Sequence, residues 1–156
     1  MKTATVKQLK DELKYLANED LVKLCLRLSR FKKENKELLT YLLFEADDES
    51  SYIESVKMEI DEQFELINTS SYFYIKKSVR KILRNIKKYI RYSLKKETEV
   101  ELLLYFCKKL NAFSPSISRN VTLTNIYKRQ LDFIKKKISG LHEDLQYDFD
   151  QELIGL

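Results

Sequence analysis

The run IKKSVRKILRNIKKYIRYSLKK, Ile75 to Lys96, decides the fold of this chain. Taken round a helix at about 100° per residue from Ile75, the residues Val79, Ile82, Ile86 and Ile90 all fall within about 60° of it, with Leu83 and Tyr89 at the margins. The opposite face, within about 60° of the antipode, carries Lys77, Arg80, Lys81, Arg84, Lys87, Lys88, Arg91 and Lys95. No Asp or Glu occurs between Leu66 and Lys96. The segment therefore reads as one long two-faced helix of roughly 33 Å, with an apolar stripe that needs a partner layer and a cationic ridge.

The ridge works against its own helix. Lys77/Lys81, Arg80/Arg84, Arg84/Lys88 and Lys87/Arg91 are like charges at i,i+4, each unfavourable by about a few tenths of a kcal/mol. Either acidic residues elsewhere in the chain lie alongside, or the ridge is kept for an anionic partner.

On the C-terminal side, Thr98 and Glu101 have the spacing of a capping box, and Val100-Glu101-Leu102-Leu103-Leu104-Tyr105-Phe106-Cys107 is apolar nearly all round, as the central helix of a domain is. The link between the two is very short, which predicts an antiparallel hairpin. On the N-terminal side, Asn68-Thr69-Ser70-Ser71 breaks the pattern and can cap the basic helix, whose first turn holds Tyr72, Phe73 and Tyr74. Before it, Ser51 and Glu54 form a second capping-box pattern, with Ile53, Val56, Ile60, Phe64 and Ile67 on one face of an otherwise acidic helix.

Further out, Thr5 and Gln8 open a short first helix containing Leu9, Leu13 and Leu16, and Asn18 precedes a second in which Leu21, Leu24, Cys25, Leu28 and Phe31 share an inward face. These two predict a first hairpin. Asn35 opens a third helix, where Leu38, Leu39, Leu42 and Leu43, widened by Tyr41 and Phe44, predict a nearly buried element. Beyond Cys107, the stretch Asn111 to Asn120 around the only proline, Pro115, is the one long loop. Leu123, Tyr127, Leu131, Ile134 and Ile138 define a seventh helix, with Gly140 where a left-handed residue would close it. Leu141, Leu145, Phe149 and Leu153 define an acidic eighth.

The fold class is all-α: about eight helices in series as four antiparallel hairpins, packed as a compact helical bundle or a short solenoid-like stack of helix pairs. At 156 residues the expectation is a single domain, 1–156. Two glycines and one proline in the whole chain disfavour turn-rich β architectures. The net charge of +5 is modest but laid out in blocks. Glu45 to Glu65 holds a single Lys, and no Lys or Arg follows Ile138.

The pattern Leu9-x3-Leu13-x2-Leu16, with Asn18-Glu19-Asp20-Leu21, Phe31-Lys32-Lys33-Glu34-Asn35-Lys36-Glu37 and Glu99 to Cys107, resembles an uncharacterised family of small helical bacterial proteins of unknown function. The resemblance implies a helical fold and brings no catalytic or binding residue with it.

Chemistry has few places to sit. His142 is the only histidine, so a nucleophile, base and orienting group would all have to assemble at the start of the last helix, and the expectation is an exposed or capping residue. No metal-ligand spacing occurs, and the glycines, Gly140 and Gly155, form no phosphate loop. No enzyme, metal, cofactor or small-molecule substrate is expected. Cys25 and Cys107 lie in apolar helical patterns and read as reduced core thiols. The N-terminal residues lack an apolar signal region and no stretch approaches about 18 apolar residues, so a cytoplasmic location away from membranes is expected.

What remains is a non-enzymatic protein-interaction or scaffold module, meeting an acidic protein or another copy of itself. The alternative is a nucleic-acid-binding protein that uses the ridge as a phosphate-tracking surface. Tyr74 and Tyr92 would lie at its edge to stack on bases, with Arg119, Lys128, Arg129, Lys135, Lys136 and Lys137 as candidate additions. The feature that separates the two is whether the acidic helices cover Arg80, Arg84 and Arg91.

Overall fold

Eight α-helices form, in chain order α1 (Val6–Leu13), α2 (Asn18–Phe31), α3 (Lys33–Thr40), α4 (Glu49–Glu65), α5 (Tyr72–Ser93), α6 (Lys96–Asn111), α7 (Val121–Ile138) and α8 (Glu143–Ile154). A π-helical turn, Tyr41–Glu45, follows α3, and a 3-10 turn, Ile117–Arg119, precedes α7. The computed structural model describes residues 1–156 and contains no strand. The chain divides into two compact units, Met1–Phe44 and Glu45–Leu156.

The second unit is built round α6. Val100, Leu102, Leu103, Leu104, Phe106, Cys107 and Leu110 are all buried, on every side of the helix, because α4, α5 and α7 each pack against it. The apolar stripe of α5 is the deepest of these layers: Ile75, Val79, Ile82, Ile86 and Ile90 are 0–8% exposed. Each such side chain contributes roughly 1.5–3 kcal/mol over its exposed state. α4 closes the third side through Ile53, Val56, Ile60 and Phe64, with the Phe64 ring 5.9 Å from both Phe106 and Phe113. Tyr52 hydroxyl donates to the Tyr89 carbonyl at 3.0 Å, fixing α4 along α5. α8 docks on α7.

Several local expectations shift. α4 is capped by Asp48, whose carboxylate accepts from the Ser51 amide at 3.1 Å, so the helix starts ahead of the Ser51–Glu54 box. α6 starts at Lys96, ahead of the Thr98–Glu101 box, and the Thr98 hydroxyl donates to Glu49 instead. Gly140 adopts no positive φ; the left-handed residue is Leu94, φ 58°, which ends α5 so that the chain can reverse into α6. The Thr5–Gln8 capping box forms as read, with both reciprocal bonds present.

The first unit departs further. The extensive pairing of α2 is with α3 rather than α1, and the Asn35 side chain closes that hairpin by donating to the Leu28 carbonyl at 2.9 Å. Of its 44 residues only Tyr41 is buried. The stripe expected to face inward on α2 is open: Leu24 is 38%, Leu28 54% and Phe31 77% exposed, and Cys25 is exposed rather than a core thiol. The third helix stops at Thr40 and widens into the π turn, leaving Leu42, Leu43 and Phe44 at 56–79% exposed instead of buried. Three short helices cannot surround one another, as expected for a unit near the size limit of about 40 residues below which a chain needs a staple or a partner.

Candidate functional site

The functional question turns on what lies against the polar face of α5, and the side chains of α4 answer it. Glu49 at the start of α4 accepts from the Ser93 and Thr98 hydroxyls and pairs with Lys95 at 3.0 Å. Glu59 accepts from the Tyr89 hydroxyl at 2.7 Å and from Gln63, which in turn accepts from Asn85 at 3.2 Å. Asp61 turns the other way, to α6, accepting from the Tyr105 hydroxyl at 2.8 Å and pairing with Lys109 at 2.9 Å. Lys57 joins Glu54 at 2.8 Å and Glu101 at 2.7 Å. Of the acids of α4, Asp61 is thus engaged with α6, Glu59 with the flank of α5 at Asn85 and Tyr89, and Glu49 with its C-terminal end, while Glu54 pairs with Lys57 of its own helix.

These contacts leave their mark on ionisation. Burial first, and then its bond to the Asp61 carboxylate, together raise the Tyr105 phenol to about 12. For Asp61 burial opposes the charged form, but the Lys109 and Tyr105 contacts outweigh it and hold the carboxyl below its ordinary value.

The ridge itself stays open. Lys77, Arg80, Lys81, Arg84, Lys87 and Arg91 are all exposed, and none of the six has a carboxylate within 4.0 Å. The other two behave differently. Lys88 is half-buried with its ammonium 4.7 Å from the Tyr89 ring centroid, and Lys95 is held by Glu49. From Lys77 to Arg91 the open cations run over roughly 21 Å of helix at about 1.5 Å per residue. The acidic α8 does not offset them, because it packs on α7 and its Glu152 pairs with Lys108 of α6 at 2.7 Å.

At its N-terminal end the ridge meets an aromatic pair. Phe73 is 66% and Tyr74 46% exposed, their rings edge to face at 5.4 Å. Phe73, Lys76, Lys77, Arg80 and Arg84 line an open cleft of about 310 Å³. Phe73 is a site residue that helical periodicity alone did not single out, since exposure of a first-turn aromatic depends on what packs beside it. Tyr92, by contrast, is not available for stacking. It is buried on the flank where α4 packs, its ring 6.1 Å from that of Tyr89.

The other cations named from the sequence sit apart from this arrangement. Lys135, Lys136, Lys128 and Arg129 are exposed on α7, whose main partner is α6, and Lys137 is tied to Glu99 at 2.7 Å. His142 is exposed and caps α8, its Nδ1 accepting from the Asp144 amide at 3.4 Å. No group of three or more His, Cys, Asp or Glu is placed to hold a metal ion, and no helix is long and apolar enough to cross a membrane.

Compared with family models, with curated proteins and with solved structures, the chain matches none. The meaning of the ridge therefore rests on its own chemistry.

Proposed function

We propose that this protein is a non-enzymatic binding module that holds a polyanion along α5, and that the polyanion is nucleic acid. The observation that carries the reading is that six cations of one helix face are exposed with no carboxylate within 4.0 Å, while Glu49, Glu59 and Asp61 of α4 are engaged with other groups. An intramolecular neutraliser for the ridge was the main rival explanation, and the acidic helices do not cover Arg80, Arg84 or Arg91. A line of like charges that disfavours its own helix is relieved by a partner with regularly spaced negative charge, as a phosphate backbone has. The exposed Phe73 and Tyr74 beside the first cations suit nucleic acid, because aromatic faces beside a line of cations can stack on bases while the cations track phosphates.

An acidic protein segment is the competing occupant of the same face. The two cysteines form no disulfide, in keeping with a reducing compartment, and the cytoplasm is the proposed location. Fluorescence anisotropy with short single- and double-stranded DNA and RNA, at two salt concentrations and against polyglutamate as competitor, tests the reading. Micromolar or tighter binding that weakens steeply with salt, survives polyglutamate and falls on Phe73→Ala supports it. No binding at low salt, or binding that polyglutamate abolishes at equal charge, gives the face to a protein.

A further inference from the structure

The Met1–Phe44 unit exposes apolar side chains that a folded chain ordinarily covers. Leu9, Leu13, Leu16, Leu24, Leu28 and Phe31 are 37–77% exposed. With Leu42, Leu43 and Phe44 the unit leaves on the order of 1,000 Å² of apolar side chain in water in all, spread over α1, α2 and the π turn, a total comparable with the roughly 800 Å² that each partner brings to a standard interface. Cys25, Leu28, Leu38, Leu39 and Leu42 line an open groove of about 280 Å³ along the α2–α3 hairpin.

The charges of α2 say what covers it. Around the helix, Leu21, Leu24, Cys25, Leu28 and Phe31 fall within about 80° of Leu21, and Asp20 and Arg27 lie on one flank of that stripe, seven residues or about two turns apart. The only acids of α2, Glu19 and Asp20, are in its first turn, while Arg27 and Arg30 are toward its end. Arg27 is exposed and has no carboxylate partner, while Asp20 holds only an exposed pair with Lys23 of its own helix at 3.1 Å, a contact of the kind worth about 0–1 kcal/mol. In an antiparallel two-fold pair of helices each flank meets its own copy, so Asp20 of one chain faces Arg27 of the other, twice, and the helix dipoles oppose. In a parallel pair each flank meets the other, and the other flank of this stripe, Asn18, Val22 and Ser29, carries no charge, so neither Asp20 nor Arg27 finds a partner. The surface is self-complementary in the antiparallel one of the two orientations that two-fold symmetry allows.

We propose that the Met1–Phe44 unit associates with a second copy of itself, α2 lying antiparallel to α2 across a two-fold axis near Leu24 and Cys25. The two hairpins would then close a four-helix layer over the stripe that α3 alone leaves open. The inference does not depend on the α5 ridge, and salt separates the two: an interface with an apolar centre persists where phosphate binding has been screened away.

The test uses the full chain. Sedimentation velocity should find a dimer at about 100 µM, a concentration that populates pairs with dissociation constants of ~10 µM. Arg27→Glu sets two like pairs against each other and should weaken the dimer about tenfold or more, whereas Asp20→Arg/Arg27→Glu swaps the pairs and should recover most of the loss. Circular dichroism on both variants checks that α2 remains helical. A short bismaleimide linker should join Cys25 to the second copy's Cys25, with buried Cys107 unreactive. A monomer at that concentration overturns the proposal and gives the face to a different protein. A dimer indifferent to Arg27→Glu, not rescued by the double reversal, or without the Cys25 link overturns the antiparallel pairing.

Discussion

Replacing Arg80, Arg84 and Arg91 by glutamine removes three of the six open cations of α5 and leaves its apolar stripe untouched. The consequence can be worked from the count. With at most six phosphate contacts, the slope of log K against log salt is about −4 for a single strand, at ~0.7 per contact. Raising salt fourfold should then weaken wild-type binding by about 300-fold. The variant keeps three contacts, so its slope falls to about −2 and the same salt change costs only about 20-fold. At about 0.1 M salt the three lost contacts together should lower affinity by about 100-fold.

The same substitution acts on stability in the opposite direction. It relieves the Arg80/Arg84, Arg84/Lys88 and Lys87/Arg91 repulsions, and should raise stability at low salt by up to about 1 kcal/mol. Anisotropy titrations across salt, beside urea unfolding of both proteins, read the two effects together. A wild-type slope near zero would refute the reasoning, and so would a variant of unchanged slope, or a variant that unfolds more readily than wild type.

Five further outcomes are expected. Leu103→Ala, at a site 1% exposed, should cost about 3 kcal/mol or more in urea unfolding. Leu28→Ala, 54% exposed, should stay within about 0.5 kcal/mol in dilute protein. Leu94→Gly should stabilise by about 0.5 kcal/mol, since it releases left-handed backbone strain at a side chain 83% exposed, less the extra freedom of glycine in the unfolded chain. A thiol reagent should modify Cys25 in the folded protein and Cys107 only after unfolding, the latter being buried with its thiol pushed to about 12. Because the folded-state pKa of Asp61 is lowered, its contribution is full above the ordinary carboxylate value of about 4 and is lost as pH falls through the folded value. Asp61→Asn should therefore cost about 1 kcal/mol or less at neutral pH, its exposure screening the pair, and the gap to wild type should close in acid.

Much of the fold was legible in the chain. The α5 stripe read from Ile75, Val79, Ile82, Ile86 and Ile90 is the buried stripe, and the all-round apolar run from Val100 to Cys107 is the hub. Helix starts were less legible, because Asp48 competes with Ser51 for the same cap and wins by bonding the Ser51 amide itself. The left-handed closure went to Leu94, which no glycine preference could point to.

The sequence by itself determined which residues share a helix face, because the 3.6-residue period is a property of the backbone and needs no partner. It thereby determined that eight cations of one helix point together, and that α2 and α5 each carry an apolar stripe. Whether a face is covered is set by what else packs there, and only the tertiary structure decided that. Leu28 and Ile86 occupy equivalent places in equally good stripes, yet Leu28 is 54% exposed and Ile86 1%, since α6 and α4 close over α5 while only α3 lies along α2. By the same cause the acids of α4 went to Tyr105, Lys109, Tyr89 and Lys95, and the ridge was left with six cations facing water.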